Sequence, residues 1–252
     1  MKSKYLMAML SAAIILGACE EQASSENQGQ QQDQVEQVKE PQETGQQEEQ
    51  EEQTPQLAAQ LKERIPDWNI DLPSWTEEES QHTGAAVVKE KDRAEIQFYK
   101  TEEPIAVDDP ALANAQETAL LTIERFSSSK EANEQIDFQD YKKVGGEPVD
   151  LGYDITGYQD AGAGSLFTSW NEGRWAMITR TTTDASEKGV QLAQHAVSFL
   201  EEHTLPIPHE HGSLHLDVNE QGSFVKWQKG ELVYMLTAST NDELLEWAVL
   251  FK

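Results

Sequence analysis

The sequence predicts an α+β fold: a curved antiparallel sheet built from repeated units of a β-hairpin followed by a helix, with the helices packed on one face. Residues 157–183 contain two apolar strands joined at Gly173, which supplies the positive φ that a tight turn requires. The pattern recurs at residues 222–237, where Gly230 takes the turn position and again follows a tryptophan by three residues. Hairpins pair antiparallel, and the apolar face of the sheet that they form must be covered. A helix that follows each hairpin can cover this face, so the order of elements predicts this architecture.

Several elements are predicted before the first of these hairpins. A short helix is expected at residues 57–65, and alternating apolar residues at 84–99 predict a weaker hairpin with a charged turn. Apolar residues spaced three and four apart predict a helix at residues 110–126. A second, short helix is predicted at residues 128–136, where a serine and a glutamate have the spacing of a capping box.

The chain after the Gly-Gly break at residues 145–146 is predicted to hold both copies of the hairpin-helix unit. Strand pieces lead into the first hairpin, and a helix at residues 184–203 follows it, opened by a capping box at Asp184. A strand at residues 214–218 then enters the second hairpin. Asn241 is predicted to cap the last helix.

The N-terminus has the features of an export signal. Two lysines precede an apolar run at residues 6–16 that is too short to span a bilayer, and small residues follow it. Residues 16–19, Leu-Gly-Ala-Cys, resemble the lipobox of bacterial lipoproteins. The resemblance implies that residues 1–18 are a signal peptide, and that Cys19 is acylated and holds the chain to a lipid bilayer.

The remaining chain divides by composition into a tether and a domain. Residues 19–56 begin with the acylated cysteine and are rich in Glu and Gln, with almost no apolar side chains, so we expect a disordered linker. Residues 57–252 are expected to form one globular domain, with a pseudo-repeat whose halves divide near residue 145.

Composition excludes several classes of function. The net charge is −27, and such an acidic surface repels phosphate backbones, so nucleic acid is not expected as a partner. The chain has one cysteine. If Cys19 is acylated, the mature domain has no disulfide, no thiol nucleophile and no cysteine zinc site.

Three histidines near the second hairpin form a candidate metal site. In an extended strand His209, His211 and His215 would point to the same side, so three imidazoles could share one face. Imidazole nitrogens suit zinc or copper, and zinc is the cofactor that we expect such a site to hold. The alternative is that these are exposed histidines on a loop entry broken by prolines.

The glycine-rich stretch before the central hairpin is a candidate ligand-binding loop. Gly162, Gly164 and Ser165 could present backbone amides to an anion. However, the stretch lacks the lysine of a phosphate-binding loop and precedes a strand, not a helix. The alternative is that the glycines allow a bulge or a close strand contact.

No catalytic motif of a hydrolase is found in the sequence, so no enzyme activity is predicted. The stretch from residue 157 to Trp175 is similar to uncharacterised lipoproteins of Gram-positive bacteria, which implies the extracytoplasmic face of the cell membrane. We expect a noncatalytic binding module for an envelope protein, a peptide or a small ligand. The alternatives are a metal-handling lipoprotein and an envelope hydrolase.

Overall fold

The computed structural model describes residues 56–252. The α-helices of this part are α1 Gln56–Arg64, α2 Glu77–Gln81, α3 Ser129–Asn133, α4 Tyr141–Val144, α5 Ser186–Glu202 and α6 Asn241–Ala248. The strands are β1 Thr83–Lys89, β2 Arg93–Lys100, β3 Gln116–Arg125, β4 Glu147–Asp150, β5 Thr156–Gly162, β6 Ser165–Glu172, β7 Trp175–Thr182, β8 Gly212–Asp217, β9 Phe224–Lys229 and β10 Leu232–Ala238.

All the described strands belong to one open sheet, in the order β1-β2-β3-β10-β9-β8-β7-β6-β5-β4. Neighbouring strands pair antiparallel, except that β7 and β8 are parallel. Helix α5 makes the crossover between those two strands, as a parallel connection requires. The predicted α+β class is confirmed, whereas the sheet is mixed and not purely antiparallel.

The predicted hairpins are present. Strands β6 and β7 turn through Gly173 (φ 55°), and strands β9 and β10 turn through Gly230 (φ 62°). The tryptophans that precede these glycines, Trp170 and Trp227, are both fully buried in the same core. The weaker hairpin is formed by β1 and β2. The boundary near residue 145 separates the first three strands from the last seven, all in one sheet.

The helix predicted at residues 110–126 is wrong. A short 3-10 helix covers Pro110–Asn114, and the rest is strand β3, which lies between β2 and β10. Ala119, Leu121 and Ile123 alternate along this strand and are buried. A short apolar run of this kind fits both a helical and a strand period, so its place in the sheet decided the outcome.

Helices cover both faces of the sheet. The main core gathers buried side chains of α1, α5 and α6 against one face, which includes Tyr234 of β10. The next residue, Val233, points the opposite way and packs with Ala132 of α3 and with Ile136. The sequence placed every helix on one face, and α3 contradicts that arrangement.

Of the caps predicted for α3, α5 and α6, that of α3 is confirmed. Ser128 caps α3, since its hydroxyl accepts a hydrogen bond from the backbone N–H of Glu131. The cap of α6 is Thr240 and not Asn241, whose side chain is buried in a hydrogen-bond network. The predicted capping box at Asp184 is also wrong, because α5 begins after Ala185 with no side-chain cap.

The predicted signal peptide, Cys19 and nearly all of the tether lie outside the described residues. Within residues 56–252, no helix is both long enough and apolar enough to cross a membrane.

Candidate ligand-binding site

A pocket lies on the face of the sheet opposite α5, and we call it the open-face pocket. Ser169, Ile178, His215 and Phe224 are cross-strand partners in one row across β6, β7, β8 and β9. Side chains of cross-strand partners point to the same face, so this row forms the floor of the pocket. Thr179, the neighbour of Ile178, points the other way, and its hydroxyl donates to the backbone oxygen of Gly189 in α5.

The wall of the pocket is the segment 137–145, which connects α3 to β4 and contains α4. Asn171 of β6 holds it at two points. Its Oδ1 accepts a hydrogen bond from the N–H of Tyr141 at 2.8 Å, and its Nδ2 donates to the carbonyl of Gln139 at 2.8 Å. The ring of Phe138 stacks on His211, with centroids 3.9 Å apart. The wall is therefore fixed to the sheet on both sides of residue 139.

The pocket has a volume of about 310 Å³. Pockets for small molecules in proteins have volumes of roughly 300 to 1,000 Å³, and they combine apolar surface with a few polar groups. The apolar part of this lining includes Phe167, Ile178 and Phe224. A small molecule with no more than a few rings fits a space of this size.

The hydroxyl of Ser213 in the lining lacks a hydrogen bond. Ser213 is 6% exposed, and its Oγ has no partner within residues 56–252. Buried polar groups in folded proteins nearly always have a partner, because an unpaired buried hydroxyl costs about 1–3 kcal/mol. This unpaired hydroxyl makes the pocket a candidate site for a hydrogen-bonding ligand.

His215 is half-buried in the floor, with its ring against Phe224 at a centroid distance of 5.5 Å. Burial lowers the pKa of His215, and Arg180 lowers it further, while Asp217 and Asp137 act in the opposite direction. The imidazole is therefore neutral at pH 7. A neutral imidazole has one nitrogen that donates and one that accepts.

The charges around the pocket are negative. Asp137 and Asp160 belong to the lining, and none of the lining residues is a lysine or an arginine. Arg180 lies two residues after Ile178 on β7, and its guanidinium already pairs with other side chains. Its Nη1 donates to Asp217 Oδ2 at 2.7 Å, and its Nε donates to Ser165 Oγ at 3.2 Å. The pocket is consequently unsuited to an anion.

A second pocket, of about 350 Å³, lies at the end of α5, and its walls are mostly apolar. Two of its polar side chains are already paired: Glu172 accepts a hydrogen bond from the indole N–H of Trp170 at 2.7 Å, and Arg174 donates to the carbonyls of Pro208 and His209. Burial raises the pKa of Glu172. No unpaired buried side-chain atom of residues 56–252 belongs to its lining, so the open-face pocket is the stronger candidate.

The three histidines of the predicted metal site have separate surroundings. His209 Nδ1 lies 3.4 Å from Ser129 Oγ, and His211 Nδ1 lies 3.2 Å from Asn133 Oδ1. His215 alone lines the open-face pocket. Within the described part of the chain, no group of three or more His, Cys, Asp or Glu side chains is arranged to hold a metal ion. Zinc binding by these histidines stays a prediction.

The glycine-rich stretch forms the tight turn between β5 and β6. Gly162 pairs with Ser165, and the two residues between them have positive φ, 51° at Ala163 and 79° at Gly164. Two central residues with positive φ are typical of a type I′ hairpin turn. The glycines thus make a turn and not the bulge considered from the sequence, and anion binding there stays a prediction.

The sequence did not single out Ser213, Tyr141 or the wall of the open-face pocket. A serine in a strand carries no signal until the elements around it are known. His215 was noted only as a metal ligand. Its place in a floor row becomes visible once the parallel pairing of β7 and β8 is known.

Comparison of the chain with protein-family models, with curated proteins and with solved structures gave no match.

Proposed function

We propose that this chain is an extracytoplasmic lipoprotein, anchored to the cell membrane through acylated Cys19, whose α+β domain is a noncatalytic module that binds a small polar ligand. The resemblance of residues 16–19 to a lipobox supports the anchor. The unpaired, buried hydroxyl of Ser213 in a pocket of about 310 Å³ carries the binding function.

The surroundings of Ser213 favour binding over hydrolysis. A serine nucleophile needs a base within hydrogen-bond reach, and the base needs a third group to orient it. Ser213 Oγ has no hydrogen bond to His215 or to any other group of residues 56–252. The floor groups lie on paired strands of the sheet, and such rigid placement suits selective recognition.

The binding function can be tested by thermal unfolding of the full chain with millimolar glucose, ethanolamine, glycine or succinate. A ligand that binds only the folded state raises the melting temperature. We expect at least one uncharged or cationic compound to do so, and succinate to have no such effect. An Ile178→Trp variant, which fills the floor from a half-buried position, is expected to lose the response. An equal rise in the variant, or no rise with any compound, would contradict the binding function.

The anchor can be tested by mass spectrometry of the protein isolated from bacterial membranes. We expect the chain to start at Cys19 and to carry a diacylglyceryl group on its sulfur. A free thiol at residue 19, or a chain that starts at Met1, would show that the anchor is assigned incorrectly.

A further inference from the structure

The polar groups of the open-face pocket include both donors and acceptors of hydrogen bonds. Asp137 and Asp160 contribute carboxylates, which only accept. The pKa of Tyr141 is raised by burial and by the charge of Asp137, so its phenol keeps its proton and donates. Ser213 and the neutral His215 can each do both. A ligand that satisfies this set must also donate and accept.

A hydroxyl-rich ligand meets this requirement, and a simple amine does not. Each hydroxyl has one proton to donate and two lone pairs to accept with, whereas an ammonium group only donates. An ammonium would leave the phenol of Tyr141 without an acceptor. The carboxylates of Asp137 and Asp160 belong to exposed residues, so the attraction they exert on a cation is weakened by solvent. An anion would find no lysine or arginine in the lining to pair with.

The shape of the floor sets the size of the ligand. Strands β6 and β9 are three strand spacings apart, roughly 14 Å at about 4.8 Å each. Phe167 lies on β6 and Phe224 on β9, so aromatic carbon is present at both ends of the floor. The apolar face of a ring can pack on such a surface while its polar edge meets hydrogen-bonding groups. One ring covers part of this floor, and two linked rings would reach both phenylalanines.

We infer that the ligand of the open-face pocket is an uncharged saccharide or similar polyol of one or two rings, held by hydrogen bonds from Ser213, His215 and Tyr141. This inference rests on the proposed binding function and specifies the chemical class of its ligand.

The test compares sugars that share a ring and differ in charge. Glucose, glucosamine and glucuronate, together with the neutral disaccharides cellobiose and maltose, are titrated into the full chain in a calorimeter. We expect saturable binding of at least one neutral sugar and none of glucuronate. Ser213→Ala removes one hydrogen bond and should weaken binding about three- to tenfold. Ser198→Ala is the matched control, because Ser198 is exposed on α5 outside the pocket, and it should bind as the unmodified chain does.

The other outcomes are distinct. If only glucosamine binds, and Ser213→Ala weakens it, the pocket is a binding site but its ligand is an amine, so the inference is overturned and the proposed function stands. If Ser213→Ala and Ser198→Ala bind a neutral sugar equally well, the sugar occupies another site and the inference is again overturned. If none of the five sugars binds, the inference fails. The binding function is then decided by the other compounds in the thermal experiment.

Discussion

Arg180 Nη1 lies 2.7 Å from Asp217 Oδ2, and this ion pair joins β7 to β8, the parallel pair of the described sheet. The Asp217 side chain is 2% exposed, whereas that of Arg180 is 45% exposed. A nearly buried carboxylate thus faces a cation that still reaches solvent. The two residues are cross-strand partners, two positions along β7 and β8 from Ile178 and His215 in the pocket floor.

Replacing Arg180 should destabilise the fold. In Arg180→Met the buried carboxylate of Asp217 loses its charged partner, and we expect the free energy of unfolding to fall by about 2 kcal/mol, less than for a fully buried pair. Lys130→Met is the control, because the Lys130–Glu134 pair is 88% and 62% exposed, and it should cost at most about 0.5 kcal/mol. Urea denaturation measures both. Equal losses in the two variants would show that the buried pair has no special role.

Asn241 should matter more than the true cap, Thr240. Asn241 Nδ2 donates to the carbonyl of Asp217 at 2.9 Å, and its Oδ1 accepts from the Ser223 hydroxyl at 2.7 Å. Asn241→Ala removes two buried hydrogen bonds and leaves the Ser223 hydroxyl without an acceptor, so we expect a loss of about 2–3 kcal/mol in unfolding free energy. Thr240→Ala removes a helix cap and should cost about 1 kcal/mol. A larger loss of unfolding free energy in Thr240→Ala than in Asn241→Ala would contradict the assignment of Asn241 to the buried hydrogen-bond network.

Ser213→Ala should not destabilise the protein. Its hydroxyl is buried without a partner, so removing it removes a desolvation cost, and we expect the unfolding free energy to stay unchanged or to rise by up to about 1 kcal/mol. Ser223→Ala is the matched control, because that buried hydroxyl is hydrogen-bonded on both sides, to Asp217 N and Asn241 Oδ1. It should lower stability by about 1–3 kcal/mol. Should Ser213→Ala be as destabilising as Ser223→Ala, the Ser213 hydroxyl has a structural partner within the protein and does not mark a ligand site.

Stability should depend on pH through His215. Because burial lowers the folded-state pKa below the unfolded value of about 6.5, the unfolded chain binds more protons between those two pKa values. Stability therefore falls as the pH drops through that window, and the contribution levels off below the folded-state pKa. His215→Gln should show a smaller loss of stability between pH 7 and pH 5 than the unmodified chain does. Ser213→Ala changes the same pocket but removes no titratable group, so it should keep the original pH dependence of stability. If stability fell equally with pH in the unmodified chain, His215→Gln and Ser213→Ala, His215 would not be the cause of the pH dependence.

The elements that the sequence predicted well are those with a local physical cause. Gly173 and Gly230 mark turns because their backbones adopt positive φ, and Ser128 caps a helix through its own hydroxyl. The errors arise where contacts with residues distant in sequence determine the secondary structure or the role of a side chain. Residues 116–125 form a strand because β2 and β10 pair with them. The Asn241 side chain hydrogen-bonds the Asp217 carbonyl and does not cap α6.

The open-face pocket could not be predicted from the sequence. Its floor requires β7 and β8 to be parallel neighbours, and its wall requires Asn171 to bind residues that lie 30 and 32 positions earlier. The property that marks Ser213 is the absence of a hydrogen-bond partner within the described chain, which only a folded arrangement can show. His215 was noticed from its residue type, but its role changed once its surroundings were known.

The most direct test of the binding site follows the imidazole resonances of His215 and His203 by NMR while neutral sugars are added to the full chain. His215 lines the open-face pocket and His203 lines the apolar pocket at the end of α5, so each histidine reports on one of them. We predict that the His215 resonance shifts saturably while the His203 resonance changes little. In Ser213→Ala, a higher sugar concentration should be needed for the same shift of His215. A shift at His203 alone, or none at His215 with any small polar compound that stabilises the protein, would place the ligand elsewhere and contradict the account.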